Sequence, residues 1–287
     1  MANESKSRRV RLGALVLALA AGCGAGRDDA LGSAESELVN WNSLNLNALN
    51  MNALNLNALN LNALNLNALN LNSLDPSTLS TLQGSTQNSA QSRAVLQYMV
   101  GCALRTDQSI SITWTDSLGA SHPETYHGLL GLAPDWSWRG LYTSEAEWVS
   151  ACVASRANYY GTPVEISSRG EDHPELRVES SSYEALTFTH FEGAFWGNLF
   201  GDAPYLRSCY IPAQLSYSRA VKRECAAGHQ NGDGSVGSCG PIQRQGSCLD
   251  GVGGSSAPCL TNDGYYLQDC KRPNGTRTDR VITTWLR

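Results

Sequence analysis

Eight cysteines in the C-terminal two hundred residues constrain the fold of this chain more than any other feature. Cys102, Cys152, Cys209, Cys225, Cys239, Cys248, Cys259 and Cys270 are even in number, and a ninth, Cys23, stands apart near the N-terminus. No two are spaced C-x-x-C, and only His229 lies within four residues of one, which disfavours zinc ribbons and thioredoxin-type sites. In an exported chain such a set reads as a disulfide framework. From Cys225 to Cys270 the sequence is rich in Gly, Ser, Asn and Asp, with cysteines nine to fourteen residues apart. That stretch buries too little apolar surface to order itself. Bridges supply about 2–4 kcal/mol each by restricting the unfolded chain.

The N-terminus points to export. Lys6, Arg8, Arg9 and Arg11 precede an apolar run of ten residues, Leu12 to Ala21. Ten is half of what a bilayer span needs, so the run reads as a signal peptide, residues 1–22. It ends "LALAAGC", and Ala21-Gly22-Cys23 resembles the lipobox of bacterial lipoproteins. The resemblance implies that Cys23 becomes the first mature residue and carries acyl chains on its sulfur and amine. Ala20 departs from the larger aliphatic that the lipobox prefers. Gly24 is not the inner-membrane retention residue, so the expected address is the outer membrane, with plain secretion as the alternative. "SRRVRL" also resembles a twin-arginine signal, but Arg11 stands where that motif wants an apolar residue, so general secretion is favoured. Removing a leader of charge +3 takes the chain from −5 to about −8. That balance disfavours nucleic acid as a partner.

After a linker (23–38) comes a strict repeat. Residues 39–73 read as seven pentads, VNWNS, LNLNA, LNMNA, LNLNA three times and LNLNS, and no charge intervenes before Asp75. Apolar residues at spacings of two and then three scatter around a helix, and an odd period flips the buried face of a flat strand. A coil that turns a corner every five residues satisfies the pattern, with positions one and three inward and Asn outward or at the corner. This resembles the pentapeptide-repeat family, which implies a four-sided β-solenoid. Leucine at position one departs from that family's small residue, and seven units make under two coils, too few to bury each other. The alternatives are a low-complexity spacer, reaching about 35 Å as a coil and ~120 Å stretched, and self-association through Leu/Asn ladders.

Residues 76–90 are Ser/Thr/Gln-rich and read as a second linker. Globular composition begins at Gln91. The expected helices are residues 90–107, with Val95, Leu96, Met99, Val100, Ala103 and Leu104 on one face beside Cys102, and a helix from Ser144. In the second, "SEAE" reads as a capping box closed by Glu147, and Trp148, Val149, Cys152, Val153 and Ala157 form the buried stripe. One cysteine near each buried face suggests a Cys102–Cys152 bridge. Strands are expected at 110–115, 164–168, 183–196 and the terminal "DRVITTWLR", and residues 116–142 read as turn-rich and aromatic.

No G-x-S-x-G, H-E-x-x-H or P-loop is present, and the reading carries no cofactor and no metal. Three weaker constellations remain. His190 and Glu192, two apart on an expected strand, would share a face and suit acid–base chemistry. "GEDHPE", residues 170–175, places carboxylates around His173, though such runs are usually solvated turns. "HQNGDGS", residues 229–235, resembles the start of a calcium loop, but Ile242 stands where the closing glutamate belongs. Among Trp114, Trp136, Trp138, Trp148 and Trp196, the pair Trp136 and Trp138 follows Pro134 in a loop and suits a carbohydrate- or protein-binding face.

The phrases "GLLGLAPDW", "WVSACVASRANYYGTPVEISSRG" and "EGAFWGNLF" resemble uncharacterised, cysteine-rich cell-envelope proteins of soil-dwelling Gram-negative bacteria, over most of residues 95–209. The resemblance implies no activity. The sequence therefore reads as a short β-solenoid or disordered repeat (39–75) ahead of a single disulfide-stapled α+β domain (91–287) with two main helices and an irregular tail. The expected function is a lipid-anchored binding or structural head. A secreted hydrolase using His190 and Glu192 and a repeat-driven self-assembling surface protein are the alternatives.

Overall fold

The computed structural model describes residues 49–50, 69, 74, 76–251, 256–262 and 264–287. The leader, Cys23, the linker 23–38 and most of the repeat lie outside the described residues. Along the chain come helices α1 (Pro76–Gln83) and α2 (Gln87–Ala103), strands β1 (Ser109–Thr115) and β2 (Ser121–His127), then helix α3 (Thr143–Arg156). Strand β3 (Ile166–Arg169), the short helix α4 (Tyr183–Thr187), strands β4 (His190–Asn198) and β5 (Tyr205–Tyr210) and helix α5 (Leu215–Ala220) follow. The tail adds β6 (Ile242–Ser247), β7 (Leu260–Asn262), β8 (Tyr266–Gln268) and the terminal β9 (Val281–Leu286). The fold is α+β.

The centre is a five-stranded mixed sheet, ordered β6-β5-β4-β9-β3. Only the β6–β5 pair is parallel. Both faces are covered, and alternation along each strand decides which residue goes where. Phe195, Leu206 and Ile282 enter the larger core beneath α2 and α3. Ala194, Trp196, Cys209 and Val281 enter a second core on the opposite face, under the cysteine-rich tail.

Four bridges tie these layers: Cys102–Cys152, Cys209–Cys248, Cys225–Cys239 and Cys259–Cys270. The first joins α2 to α3, as the two buried stripes suggest. The second fastens the tail to β5. Its Cys209 sulfur lies 3.8 Å from that of Cys259, so two bridges pack against each other in the second core.

Local chemistry explains the departures from the sequence reading. Residues 76–90 are no bare linker. Pro76 sits in the first turn of α1, where a missing N–H costs nothing. Thr78 and Leu82 are buried, and Arg93 donates to the Leu82 and Gly84 carbonyls at 2.9 and 2.7 Å. The Thr86 hydroxyl then caps α2 by accepting from the Ser89 N–H at 3.1 Å. Residues 116–142 contain a full hairpin strand, β2, whose turn is closed by Asp116 accepting from the Leu118 and Ala120 amides. In 183–196 the expected strand begins only at His190. Ser182 caps Ala185 at 3.1 Å and nucleates α4, which leaves Leu186 exposed.

The segment after β2 returns to the end of α2. The amides of Leu129, Leu130, Leu132 and Ala133 donate to the carbonyls of Leu104, Gly101, Cys102 and Ala103, satisfying the helix's last turn. Gly128 is required for that approach, because a Cβ there would lie 2.2 Å from the Arg105 oxygen. Helix α3 starts one residue earlier than expected. The Tyr142 N–H donates to Glu145 at 2.8 Å, so Glu145 and not Glu147 reaches back to the start of the helix. Glu147 is buried and accepts from Arg272 at 2.8 and 3.0 Å and from Thr278 at 3.0 Å, fastening α3 to the tail. Among the described residues no helix is long and apolar enough to cross a membrane.

Candidate functional site

The structure does not bring His190 and Glu192 together. A bulge in β4 pairs Phe191 with Trp285 and Gly193 with Thr284, leaving Glu192 out of register. Gly193 is forced there, since a Cβ would meet the Cys209 carbonyl at 2.1 Å. The Glu192 carboxylate is fully buried and accepts from Arg223 Nε at 3.0 and 3.2 Å. Arg223 also donates to the Ala157 and Ser155 carbonyls at the end of α3. The pair therefore braces a helix terminus. His190 stacks on Tyr217 with centroids 3.7 Å apart, and its Nδ1 lies 3.0 Å from Gln214 Oε1. Each side chain is committed to a separate structural task.

The two polar loops are turns. In 170–175, His173 Nδ1 accepts from the Glu175 N–H and Nε2 donates to the Leu132 carbonyl, both at 3.3 Å. Its ring packs edge-on against Trp148, and burial lowers its pKa from 6.5. In 229–235, Asp233 accepts from the Ser235 amide and hydroxyl at 2.9 and 2.6 Å. His229 stacks on Tyr159 at 3.5 Å and reaches Glu224 at 2.5 Å. Among the described residues no group of three His, Cys, Asp or Glu side chains is placed to hold a metal.

The aromatic pair separates as well. Pro134 starts a single 3-10 turn, Pro134–Ser137, that sends Trp136 inward, fully buried and edge-on to Phe200. Trp138 points outward, 67% exposed. Its companion is Tyr142, 65% exposed, which the sequence reading did not single out for recognition. Between them lies Arg139, whose guanidinium is 4.0 Å from the Tyr142 ring centroid and 5.7 Å from that of Trp138. Glu145 holds Arg139 in a two-pronged fork at 2.6 and 2.8 Å, and Asp135 adds a contact at 3.2 Å. These hydrogen bonds raise the arginine's pKa and keep it charged. Trp114, Trp148 and Trp196 serve elsewhere: Trp148 and Trp196 are core, and Trp114 stacks on His122 under Arg93.

An open depression of about 410 Å³ lies at the N-terminal end of α3, lined among others by Glu145, Trp148, Asp172, His173, Glu175 and Arg280, and Glu145 links it to Arg139. A neighbouring depression of about 300 Å³ shares Ser144 and Arg280 with it and adds Arg272 and Asp279. The lining thus mixes carboxylates, a hydroxyl and guanidinium groups with the Trp148 ring. Such a surface offers hydrogen-bonding groups beside an apolar ring. His173, the imidazole within it, is already bonded at both nitrogens. The overlooked residues had one signal in the sequence, an arginine between two aromatics with a glutamate six residues on. No family model, curated protein or solved structure matches this chain.

Proposed function

We propose that this chain is a cell-envelope lipoprotein whose disulfide-bonded head binds a ligand at the Trp138–Tyr142 face. One observation carries the reading: two solvent-facing rings flank Arg139, and the Glu145 that fixes Arg139 also lines an open polar groove. Rigid aromatic rings give contact area at little entropic cost. Their apolar faces suit the C–H face of a sugar ring, and the carboxylates and Ser144 alongside suit its hydroxyls. A glycan of the envelope is therefore the favoured ligand. Four cysteine pairs at bonding distance support an oxidising compartment. The basic n-region, short apolar run and Ala21-Gly22-Cys23 support acylation at Cys23. More than one acyl chain would make that anchor stable.

The test uses the purified mature protein and its Trp138→Ala and Tyr142→Ala variants, titrated with solubilised envelope polysaccharide and with peptidoglycan fragments. Each variant is expected to lose at least tenfold in affinity while melting as the parent does. Equal affinity in parent and variants refutes this face as the site. Intact mass of the mature protein reports acylation at Cys23 independently.

A further inference from the structure

We propose that the head is a docking platform for its own pentad repeat, which it holds through first-position leucines. Within the repeat Leu49, Asn50 and Leu69 are described; both leucines hold the first position, and Leu74, just after the seventh pentad, continues the five-residue spacing. Leu69 is 3% exposed and Leu74 is 8% exposed, and both belong to the larger core. The Leu69 N–H donates to the Trp136 carbonyl at 2.6 Å. Leu49–Asn50 runs parallel to Ala157–Asn158, just past the end of α3. The receiving residues Trp136 and Ala157 are themselves fully buried. Leu49 and Leu74 lie five pentads apart, so the anchors bracket most of the repeat.

The physical argument is one of missing neighbours. Seven uncharged pentads are too few to bury each other's leucines, and a unit in a repeat is stable only against a neighbour. A leucine in water gains about 1.5–3 kcal/mol by burial, and the head offers that burial at Leu69 and Leu74. The leucine at position one, unusual for a self-sufficient coil, is what a repeat docked on a foreign core requires. The reach of the molecule changes accordingly. If Cys23 carries the anchor, as proposed above, 26 residues separate it from Leu49, against 51 from Leu74. A coil of 26 residues would span about 30 Å, so docking brings the head closer to its membrane than an undocked repeat would.

The experiment is hydrogen exchange followed by mass spectrometry on the full mature chain, with light scattering to fix its oligomeric state. It does not depend on acylation or on any ligand, so it fails or succeeds apart from the proposed function. The peptides containing Leu49–Asn50 and Leu69–Leu74 are expected to exchange at least 100-fold slower than an unstructured chain, at every protein concentration. Leu69→Ser is expected to speed exchange at Leu69–Leu74 at least tenfold with β4 unaffected. Loss of protection throughout the head in that variant supports the proposal equally, because a residue in a free spacer could not unfold the core. Exchange at the unstructured rate in the parent overturns it. So does protection that disappears on dilution, which would assign the anchors to the repeat of a second copy.

Discussion

Arg156 and Arg223 lie at the same depth beside the end of α3 and have opposite circumstances. Arg223 is bonded to Glu192 and to two carbonyls. Arg156 is 1% exposed, and its three guanidinium nitrogens have no hydrogen-bond partner among the described residues. Burial lowers its pKa to about 10, with Arg223 adding repulsion. An unpaired buried cation is destabilising, and a flexible apolar side chain of similar length relieves it. Arg156→Met is therefore expected to raise unfolding free energy by about 1–4 kcal/mol in urea titrations; an unchanged or lower midpoint would mean the guanidinium is bonded after all. His173 is half-buried, beside the Arg280 cation and the Glu175 carboxylate. Its folded pKa is lowered, so below pH 6.5 the unfolded chain takes up a proton that the native ring resists. Stability should fall as pH drops through that window, and His173→Gln should flatten the fall between urea titrations at pH 7.5 and pH 5.5. In the sequence Arg156 is a basic residue in the last turn of a helix, a favourable place for one at the surface. Its depth is a property of the packing.

Among the elements, the bridges differ in what they enclose. Cys102–Cys152 closes a separation of 50 residues and Cys259–Cys270 one of 11. Restricting the unfolded chain stabilises by about 4 kcal/mol for the longer loop and about 3 kcal/mol for the shorter. Double alanine variants of each pair should lose stability in that order in denaturant titrations, and the reverse order would indicate that native packing of the α2–α3 junction outweighs chain entropy. The helices α2 and α3 were legible because a long amphipathic stripe needs only local sequence. The boundary at α4 was not, because a Ser182 cap and a period-two pattern competed over a few residues and the cap won. Polar composition likewise concealed α1, whose end is held by Arg93 from the next helix.

At the scale of the molecule, the last strand lies inside the sheet, paired with β4 on one side and β3 on the other. Strand β9 must be in place before the largest sheet can close, and pairings of this sequence separation are slow to form. Deleting residues 281–287 removes both ladders and the Trp285 ring stacked on Phe191 at 4.6 Å. The truncated protein is expected to show no cooperative thermal transition by circular dichroism. A transition within a few degrees of the full chain's would mean that the remaining strands close without β9. The same architecture explains the tail: a glycine-rich segment becomes ordered because β4, β5 and β9 offer it a second apolar face, and bridges hold it there.

The sequence by itself determined the α+β class, the two long helices, the cysteines that would join them and the terminal strand, since periodicity and cysteine placement act locally along the chain. Tertiary structure decided the rest. It turned Trp136 inward and left Trp138 and Tyr142 exposed on either side of Arg139, gave Glu192 to Arg223 rather than to His190, and drew Leu69 of the repeat and Leu74 after it into the core. Each of those outcomes depends on a partner that packing supplies, and composition does not specify which partner that will be.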